Sequence, residues 1–231
     1  MELLQAAHLA AVLILSYLLG SLPSSIIIGK LFFKKDIREF GSGNAGGTNA
    51  VRVFGWPAGI AVILIDIAKG ACAVLFITQL PLLGSMETGV LSADGTALAA
   101  GAAAVVGHIW TVFAAFRGGK GVATAAGMIA ALYPAGFSAA LVIFVAAVLL
   151  TGIVSVGSLS AAISFPLVLY ALDTSGLSMV SPLLMGFSIP IAILILFTHR
   201  KNIGRLLRGE EKRLFRKNGI RTNENRSGNK K

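Results

Sequence analysis

The chain has 231 residues, of which 55% are hydrophobic and only 13% are charged. Soluble domains usually carry about a quarter charged residues. The low charged fraction together with a mean hydropathy of +0.82 excludes a water-soluble globule, a disordered protein and a secreted disulfide scaffold. The net charge of +10 would suit a nucleic-acid partner, but residues 200–231 hold 12 of the 20 basic residues. A nearly neutral apolar body with a basic tail is typical of a polytopic membrane protein and argues against nucleic acid.

A helix that spans a membrane needs about 20 predominantly apolar residues. Segments of this length, or close to it, recur along the chain. They lie at residues 3–28, 56–80, 96–116 and 122–133, in two halves of 137–172, and at 179–198. Pro23 interrupts the first, and the fourth is short. Gly152, Ser155, Gly157 and Ser158 mark the break in 137–172. We predict an all-α integral membrane protein with about seven transmembrane helices, or five if the short and broken segments are re-entrant.

The basic residues between these segments orient the chain. Those after the first span are Lys30, Lys34, Lys35, Arg38 and Arg52, and those after the third are Arg117 and Lys120, whereas residues 81–95 contain none. By the positive-inside rule, we predict an N-terminus outside and a cytoplasmic C-terminus. We expect residues 1–199 to form a transmembrane domain that carries the site. Residues 200–217 would form a cytoplasmic amphipathic helical segment that completes it, and 218–231 a disordered basic tail.

Two glycine-rich clusters fall on the predicted cytoplasmic side. In the first, Ser42 to Arg52, glycines let backbone N–H groups approach a ligand, and Arg52 offers a bidentate partner for phosphate. In the second, 116–124, three glycines surround Lys120 and would leave N–H groups free at a helix start. It lacks the full P-loop pattern, because Gly121 follows the lysine. A flexible linker and a positive-inside anchor are the alternatives for the two clusters.

The remaining polar residues are a juxtamembrane cluster and a few groups inside the spans. The cluster is Thr198 to Asn202, followed by Glu210 and Glu211, and generic attraction to anionic lipid is its alternative explanation. Asp66 and Lys69 lie three residues apart on one helix face and can neutralise each other. His108 is either a satisfied core histidine or a donor or base at a buried anionic site.

These residues resemble the bacterial acyl-phosphate-dependent glycerol-3-phosphate acyltransferases, the PlsY type. Residues 42–52 match the family's S-G-N-x-G-x-T-N-x-x-R motif, and 66–70 match D-x-x-K-G. Residues 107–124 match its G-H…G-G-K-G-V-A-T segment, and 199–211 match H-R-x-N-I…R-L-L-x-G-x-E. The resemblance implies transfer of an acyl group from acyl phosphate to the sn-1 hydroxyl of glycerol 3-phosphate, giving lysophosphatidic acid and phosphate. It also implies a bacterial inner-membrane enzyme with a cytoplasmic site and no cofactor or metal.

We expect the site to divide between the two substrates. The acyl-phosphate group comprises Ser42, Gly43, Asn44, Thr48, Asn49, Gly118, Gly119 and Lys120; the glycerol-3-phosphate group comprises Arg52, Lys120, Ser158, His199 and Asn202. Ser42, His108 and Lys120 are the predicted catalytic residues, and Asp66, Lys69 and Glu211 would support them. Membrane lipid would surround the chain.

Two motifs that would indicate another catalytic mechanism are absent from the sequence. One is the H-x-x-x-x-D signature of the other large class of glycerolipid acyltransferases, and the second is the G-x-S-x-G elbow that carries a nucleophilic serine. We therefore predict direct attack by the glycerol hydroxyl, with proximity and electrostatics as the protein's contribution. An acyl-enzyme on Ser42 is the alternative. A transporter of a small phosphorylated solute and a structural scaffold that binds anionic lipid through the tail are the competing functions.

Overall fold

The computed structural model describes residues 2–80 and 91–214, and these residues form helices without a strand. Ten α-helices occur in this part of the chain. They are α1 (Glu2–Gly20), α2 (Ser24–Phe33), α3 (Gly47–Phe54), α4 (Trp56–Leu75), α5 (Ala93–Ile109), α6 (Val122–Leu132), α7 (Pro134–Thr151), α8 (Val154–Thr174), α9 (Pro182–Thr198) and α10 (Arg200–Leu207). The all-α prediction is confirmed for these residues, and the predicted tail at 218–231 lies outside them.

Local breakers divide the apolar runs where the sequence indicates. Pro23 stands between α1 and α2, which together form one apolar stretch of 31 residues. Gly152, in the left-handed conformation with φ +72°, ends α7 immediately before α8. A glycine adopts this conformation without the steric penalty of a Cβ. The predicted breaks at Pro23 and Gly152 are therefore confirmed.

Five helical stretches in the described residues are long and apolar enough to cross a membrane. A sixth results if α9 and α10, which meet at a 62° bend, are counted as one broken span. The remaining apolar helix is α6, whose 11 residues measure about 16 Å, too short to cross alone. The count of seven and the orientation of the termini stay predictions, while a multi-pass membrane protein is established.

Small residues let the central helices approach closely. Helix α6 packs along α4, and glycines meet the partner backbone from both sides. A Cβ at Gly70 would lie 2.0 Å from the Thr124 carbonyl oxygen, and one at Gly127 would lie 1.9 Å from that of Ile67. Close backbone approach through small residues is the usual route to helix association in lipid. Larger side chains would push α6 away and move the loop that precedes it.

The helices differ in how much surface they leave for lipid. Leu149 and Leu150 on α7 are 73% and 86% exposed, which suits a helix that faces acyl chains. By contrast, Val105 and Met128 are fully buried in the core between α5 and α6. A second, smaller apolar cluster that includes Ala45 and Ala50 supports the loop before α3.

The juxtamembrane helix is shorter than predicted. Helix α10 ends at Leu207, and Gly209 follows with φ +70°. Leu214 lies beyond this turn, where its N–H donates to the Gly152 carbonyl at 2.6 Å. The expectation of one amphipathic helix from residue 200 onward is wrong beyond Leu207, because the left-handed Gly209 directs the chain toward the break between α7 and α8.

Candidate active site at the ends of the helices

The Asn49 side chain holds the first glycine-rich loop, residues 41–47, through hydrogen bonds to backbone groups in and before it. The Nδ2 group of Asn49 donates to three carbonyl groups within residues 37–44, at 3.0 to 3.3 Å. Its Oδ1 accepts the Ser42 N–H at 2.8 Å. Since Asn49 is 2% exposed, its amide is fully engaged with the loop. We therefore assign Asn49 to holding the loop rather than to the predicted contact with acyl phosphate.

The rim of this loop keeps groups that can face a ligand. Ser42 and Gly43 are exposed, while Asn44 and Thr48 are partly exposed. Helix α3 begins at Gly47, and its cap, Gly46, provides no side-chain acceptor. The first N–H groups of a helix have no acceptor within it, and together with the helix dipole they favour an anion. Ser42, Asn44 and Thr48 thus remain candidates for binding phosphate.

The second glycine-rich loop, residues 117–121, uses its N–H groups differently from what we expected. Gly118 N–H donates to the Ile109 carbonyl at 3.1 Å, and Gly119 N–H donates to that of His108 at 3.0 Å. These two donors finish helix α5 and are not free for an anion, which corrects the expectation. Lys120 and the first N–H groups of α6, which follows Gly121 with φ +84°, remain candidates for binding phosphate.

A buried charged cluster lies beneath the second loop. Asp66 Oδ1 is 2.9 Å from Lys69 Nζ and accepts the Ser24 hydroxyl at 2.7 Å. Lys69 Nζ also donates to the Leu22 carbonyl at 3.0 Å. The predicted pairing of Asp66 with Lys69 is confirmed. The Asp66 side chain is 1% exposed and that of Lys69 is 4% exposed, so removing either partner would leave the other as an unpaired buried charge. The cluster joins α4 to the break between α1 and α2.

His108 is wedged between this cluster and the second loop. Its Nδ1 lies 3.6 Å from Asp66 Oδ1, and a Cβ added at Gly119 would stand 2.1 Å from its Nε2. His108 is 6% exposed. This position suits a residue that supports the Lys120 loop, so we propose a positioning role for His108 in place of the predicted catalytic one.

The two glycine-rich loops meet over a small cavity. Among the residues that line it are Ala45 from the first loop, Gly118 and Gly119 from the second, and Ser24, Lys69 and His108 from the buried cluster. Arg38 adds a further link, since it binds Asp36 through two hydrogen bonds of 3.0 and 2.7 Å and donates to the Ala114 carbonyl. The hydrogen bond from Arg38 lowers the pKa of Asp36 to about 2.

Lys120 belongs to a hydrogen-bonded chain that ends at Glu211, which we call the Glu211 cluster. Lys120 Nζ donates to Asn202 Oδ1 at 2.6 Å, and Asn202 Nδ2 donates to Glu211 Oε1 at 2.6 Å. Glu211 also accepts from the Ser155 hydroxyl at 2.9 Å and from Arg205 Nε at 2.6 Å. The carboxylate therefore fixes the Asn202 amide so that its oxygen faces the lysine.

The cluster also sets the charge of Lys120. The pKa of Lys120 is lowered to about 8, mainly by burial; Glu211 opposes this decrease, and the neighbouring Arg205 and Arg52 add to it. Burial alone would raise the pKa of Glu211, but its hydrogen bonds from Arg205, Asn202 and Ser155 outweigh burial and lower it. Glu211 is thus an anion near neutral pH, and Lys120 changes charge within reach of physiological pH.

Arg52 lies beside this cluster under the last described residues. Its Nη2 donates to the Lys212 carbonyl at 3.0 Å, while its buried Nε has no hydrogen-bond partner among the described residues. Burial lowers the pKa of Arg52, although the nearby Glu211 opposes that effect. The guanidinium is close to the Glu211 cluster without being paired to its carboxylate.

The other predicted ligands of glycerol 3-phosphate are less uniform. His199 is 2% exposed, and its Nδ1 contacts the Ile195 carbonyl at 2.8 Å. Because a carbonyl only accepts, that nitrogen carries the hydrogen, and Nε2 of the neutral ring is an acceptor. Ser158 is buried and donates to the Val154 carbonyl of its own helix. Ser155, one turn earlier, is the serine that contacts Glu211.

Sequence reasoning missed four residues that this geometry brings forward. They are Ser24, Arg38, Ser155 and Arg205. Ser155 had been noted only as part of a helix break, and Arg205 only as part of a motif match. Within residues 2–80 and 91–214, no group of three or more His, Cys, Asp or Glu side chains could hold a metal ion.

Comparison with known proteins agrees with this architecture. The model of the glycerol-3-phosphate acyltransferase family matches residues 10–209. A glycerol-3-phosphate acyltransferase of Chlorobaculum tepidum is 47% identical over 88% of this chain and 95% of its own. One from Chlorobaculum parvum is 46% identical with the same coverage.

Two solved structures are also similar. The crystal structure of PlsY (YgiH), an integral membrane glycerol 3-phosphate acyltransferase, in its glycerol 3-phosphate form has a TM-score of 0.74 and 33% identity. Its lysophosphatidic acid form has a TM-score of 0.71 and 33% identity. Each covers 89% of this chain and 94% of the solved one. The chain therefore belongs to the glycerol-3-phosphate acyltransferase family.

Proposed function

We propose that this chain transfers a fatty acyl group from acyl phosphate to the sn-1 hydroxyl of glycerol 3-phosphate. The products are lysophosphatidic acid and inorganic phosphate, and the site faces the cytoplasm of a bacterial inner membrane. Family membership supports acylation of glycerol 3-phosphate. The single observation that carries the chemistry is the convergence of two phosphate-compatible elements, the first glycine-rich loop and the Glu211 cluster with Arg52, at neighbouring helix ends.

The two phosphate groups divide between these elements. The donor phosphate binds at the rim of the first loop, through Ser42, Asn44, Thr48 and the start of α3. The acceptor phosphate binds Arg52 and Lys120, because a partly buried guanidinium and ammonium recognise phosphate through charge-assisted hydrogen bonds. Asn202 keeps Lys120 in place. His199 accepts a hydrogen bond through Nε2 from the other glycerol hydroxyl, at sn-2, which orients the sn-1 hydroxyl for attack and leaves its proton free for a phosphate oxygen.

The reaction needs no covalent enzyme intermediate. The sn-1 oxygen forms a bond to the acyl carbonyl carbon, the bond from that carbon to the phosphate oxygen breaks, and phosphate leaves with the electron pair. A phosphate oxygen takes the hydroxyl proton. In the described residues, the Ser42 hydroxyl has no hydrogen bond to a histidine or a carboxylate, so the usual activation of a serine nucleophile is missing there. This favours direct attack over an acyl-serine.

Phosphate release tests the activity. Purified protein supplied with acyl phosphate and glycerol 3-phosphate is expected to release phosphate and form lysophosphatidic acid. Solute uptake into sealed vesicles without such turnover would contradict the proposal and favour a transporter. A single-turnover reaction with labelled acyl phosphate, quenched and digested, tests the mechanism, and label on the Ser42 peptide would overturn direct attack.

The cytoplasmic position is tested by labelling. Cys72 is the only cysteine, so Cys72→Ser provides a background for Lys201→Cys at an exposed position of α10. A membrane-impermeant maleimide is expected to label this cysteine in inverted vesicles and not in intact spheroplasts. Labelling in spheroplasts would place the site outside the cell.

A further inference from the structure

The last described segment crosses the face that carries the site. Residues 209–214, which we call the C-terminal strap, leave α10 through the left-handed Gly209. Glu211 anchors the strap at its centre through the hydrogen bonds of the Glu211 cluster. At its end, the Leu214 N–H donates to the Gly152 carbonyl at 2.6 Å. The strap thus runs from the end of α10 to the break between α7 and α8.

Between its two anchors, the strap covers Arg52. The Lys212 carbonyl accepts a hydrogen bond from Arg52 Nη2 at 3.0 Å, and Lys212 Nζ reaches the Gly41 carbonyl at 3.4 Å. The strap therefore touches both the guanidinium and the first glycine-rich loop. Lys212 and Arg213 are exposed, so this end of the strap can lift while Glu211 keeps its hydrogen bonds.

The hydrogen bonding of the partly buried Arg52 side chain is incomplete. A guanidinium has five donors and usually meets a carboxylate or phosphate in a bidentate manner. Here one donor meets a neutral carbonyl, and the buried Nε has no partner among the described residues. The nearby carboxylate, Glu211, is engaged with Arg205 instead. The carbonyl thus occupies a place on Arg52 that suits an anionic oxygen.

We propose that the end of the C-terminal strap, residues 212–214, is a gate over the phosphate-binding side of Arg52. It closes when the site is empty and must lift before glycerol 3-phosphate binds, while Glu211 stays in its cluster. This inference rests on the proposed function of Arg52. A phosphate offers Arg52 an opposite charge and two parallel hydrogen bonds, whereas the Lys212 carbonyl offers one neutral acceptor, so a phosphate displaces the carbonyl. The exposed carbonyl then returns to water, at little cost.

A disulfide can hold the strap closed. A Cβ at Gly152 would lie 3.8 Å from the Cβ of Arg213, and disulfide Cβ atoms are about 3.5–4.5 Å apart. The test is the full-length Gly152→Cys/Arg213→Cys variant in the Cys72→Ser background, purified in detergent. Oxidation is followed by thiol titration, and phosphate release is measured before and after reduction. Each single-cysteine variant is the matched control for the substitution at the left-handed position.

The closed gate is expected to affect the acceptor substrate. In the oxidised double variant, the apparent KM for glycerol 3-phosphate rises at least about tenfold, because only the open fraction binds. The KM for acyl phosphate changes little, and reduction restores both values. An oxidised variant with an unchanged KM for glycerol 3-phosphate would overturn the gate. Absence of turnover in the unmodified protein would instead contradict the proposed function, so the two failures are distinguishable.

Hydrogen exchange on the unmodified protein gives a second measurement. The Leu214 N–H is protected by its bond to Gly152, and release of the strap exposes it. Addition of glycerol 3-phosphate is expected to speed exchange in the peptide that contains residues 209–214. Unchanged or slower exchange at a saturating concentration would contradict the gate, whatever the disulfide variant does.

Discussion

Replacing Glu211 by glutamine isolates the charge at the centre of the site. Glu211 accepts from Ser155 and Asn202 through one oxygen and from Arg205 through the other. A glutamine has one acceptor and one donor group in their place. In one orientation the glutamine NH2 group faces the Arg205 guanidinium. In the other orientation the NH2 group faces Asn202 Nδ2, and if the Asn202 amide then flipped, its N–H groups would face Lys120.

The loss can be estimated from the contacts. Either orientation sacrifices a hydrogen bond to a charged group in a cluster where the Glu211 side chain is 4% exposed. Such a bond contributes about 1.5–3 kcal/mol. If the loss is felt mainly in binding the acceptor, kcat/KM for glycerol 3-phosphate falls about 10- to 150-fold. The fall arises because, depending on the orientation, either Asn202 no longer holds Lys120 or Arg205 loses its acceptor.

The pH profile provides a signature that general loosening would not produce. The pKa of Lys120 is lowered to about 8, so kcat/KM in the unmodified enzyme should fall as pH rises through this value and the ammonium loses its charge. Glu211 raises the pKa of Lys120. Its neutral replacement should therefore move the alkaline limb to lower pH. Phosphate release between about pH 6 and pH 9 measures both effects.

A neighbouring residue supplies the control. Glu210 pairs with Arg208, and both side chains are more than half exposed, so Glu210→Gln should leave rate and profile unchanged. Thermal unfolding in detergent shows whether the Glu211 variant is folded. An alkaline limb at the original pH, with kcat/KM within about twofold of the unmodified enzyme, would refute the role given to the carboxylate.

Three further predictions concern residues around this cluster. Arg52→Lys keeps the charge but loses the planar fork, so the KM for glycerol 3-phosphate should rise about 10- to 100-fold with that for acyl phosphate unchanged; equal effects would refute the assignment. Gly119→Ala should abolish phosphate release, because its Cβ would stand 2.1 Å from a buried imidazole nitrogen, whereas Gly186→Ala meets nothing within 4 Å and should remain active. Asp66→Asn leaves the buried Lys69 unpaired and should lower unfolding stability by about 3–5 kcal/mol, and an unchanged melting temperature would contradict this.

Features that depend on neighbouring residues were predictable from the sequence. The breaks at Pro23 and Gly152 follow from residues that disturb a helix wherever they stand. The pairing of Asp66 with Lys69 follows from helical spacing alone. The glycine-rich loops were recognisable because several glycines and small polar residues destabilise a spanning helix, whereas at the end of a helix they can bind an anion.

Features that depend on distant residues were not predictable. Lys120 and Asn202 are 82 positions apart, and Ser155 and Glu211 are 56 apart. No local pattern specifies which of Ser155 and Ser158 will face Glu211, because both lie near the start of one helix. The N–H groups of Gly118 and Gly119 were expected to be free because the sequence does not show that the chain folds back onto the end of α5.

The charge balance at the site explains why a chain with so few charges in its body suits a phosphorylated acceptor. Arg52, Lys120 and Arg205 influence one another, and Glu211 is the carboxylate among them. Three cations around one carboxylate leave two positive charges while Lys120 is protonated. A phosphomonoester carries about −1.5 to −2 near pH 7. Bound at the proposed site, it would neutralise the excess, complete the bonding of Arg52 and stabilise the ammonium form of Lys120. A neutral alcohol such as glycerol would leave the excess charge uncompensated, so the groups proposed to bind the phosphorylated acceptor would also discriminate against its unphosphorylated form.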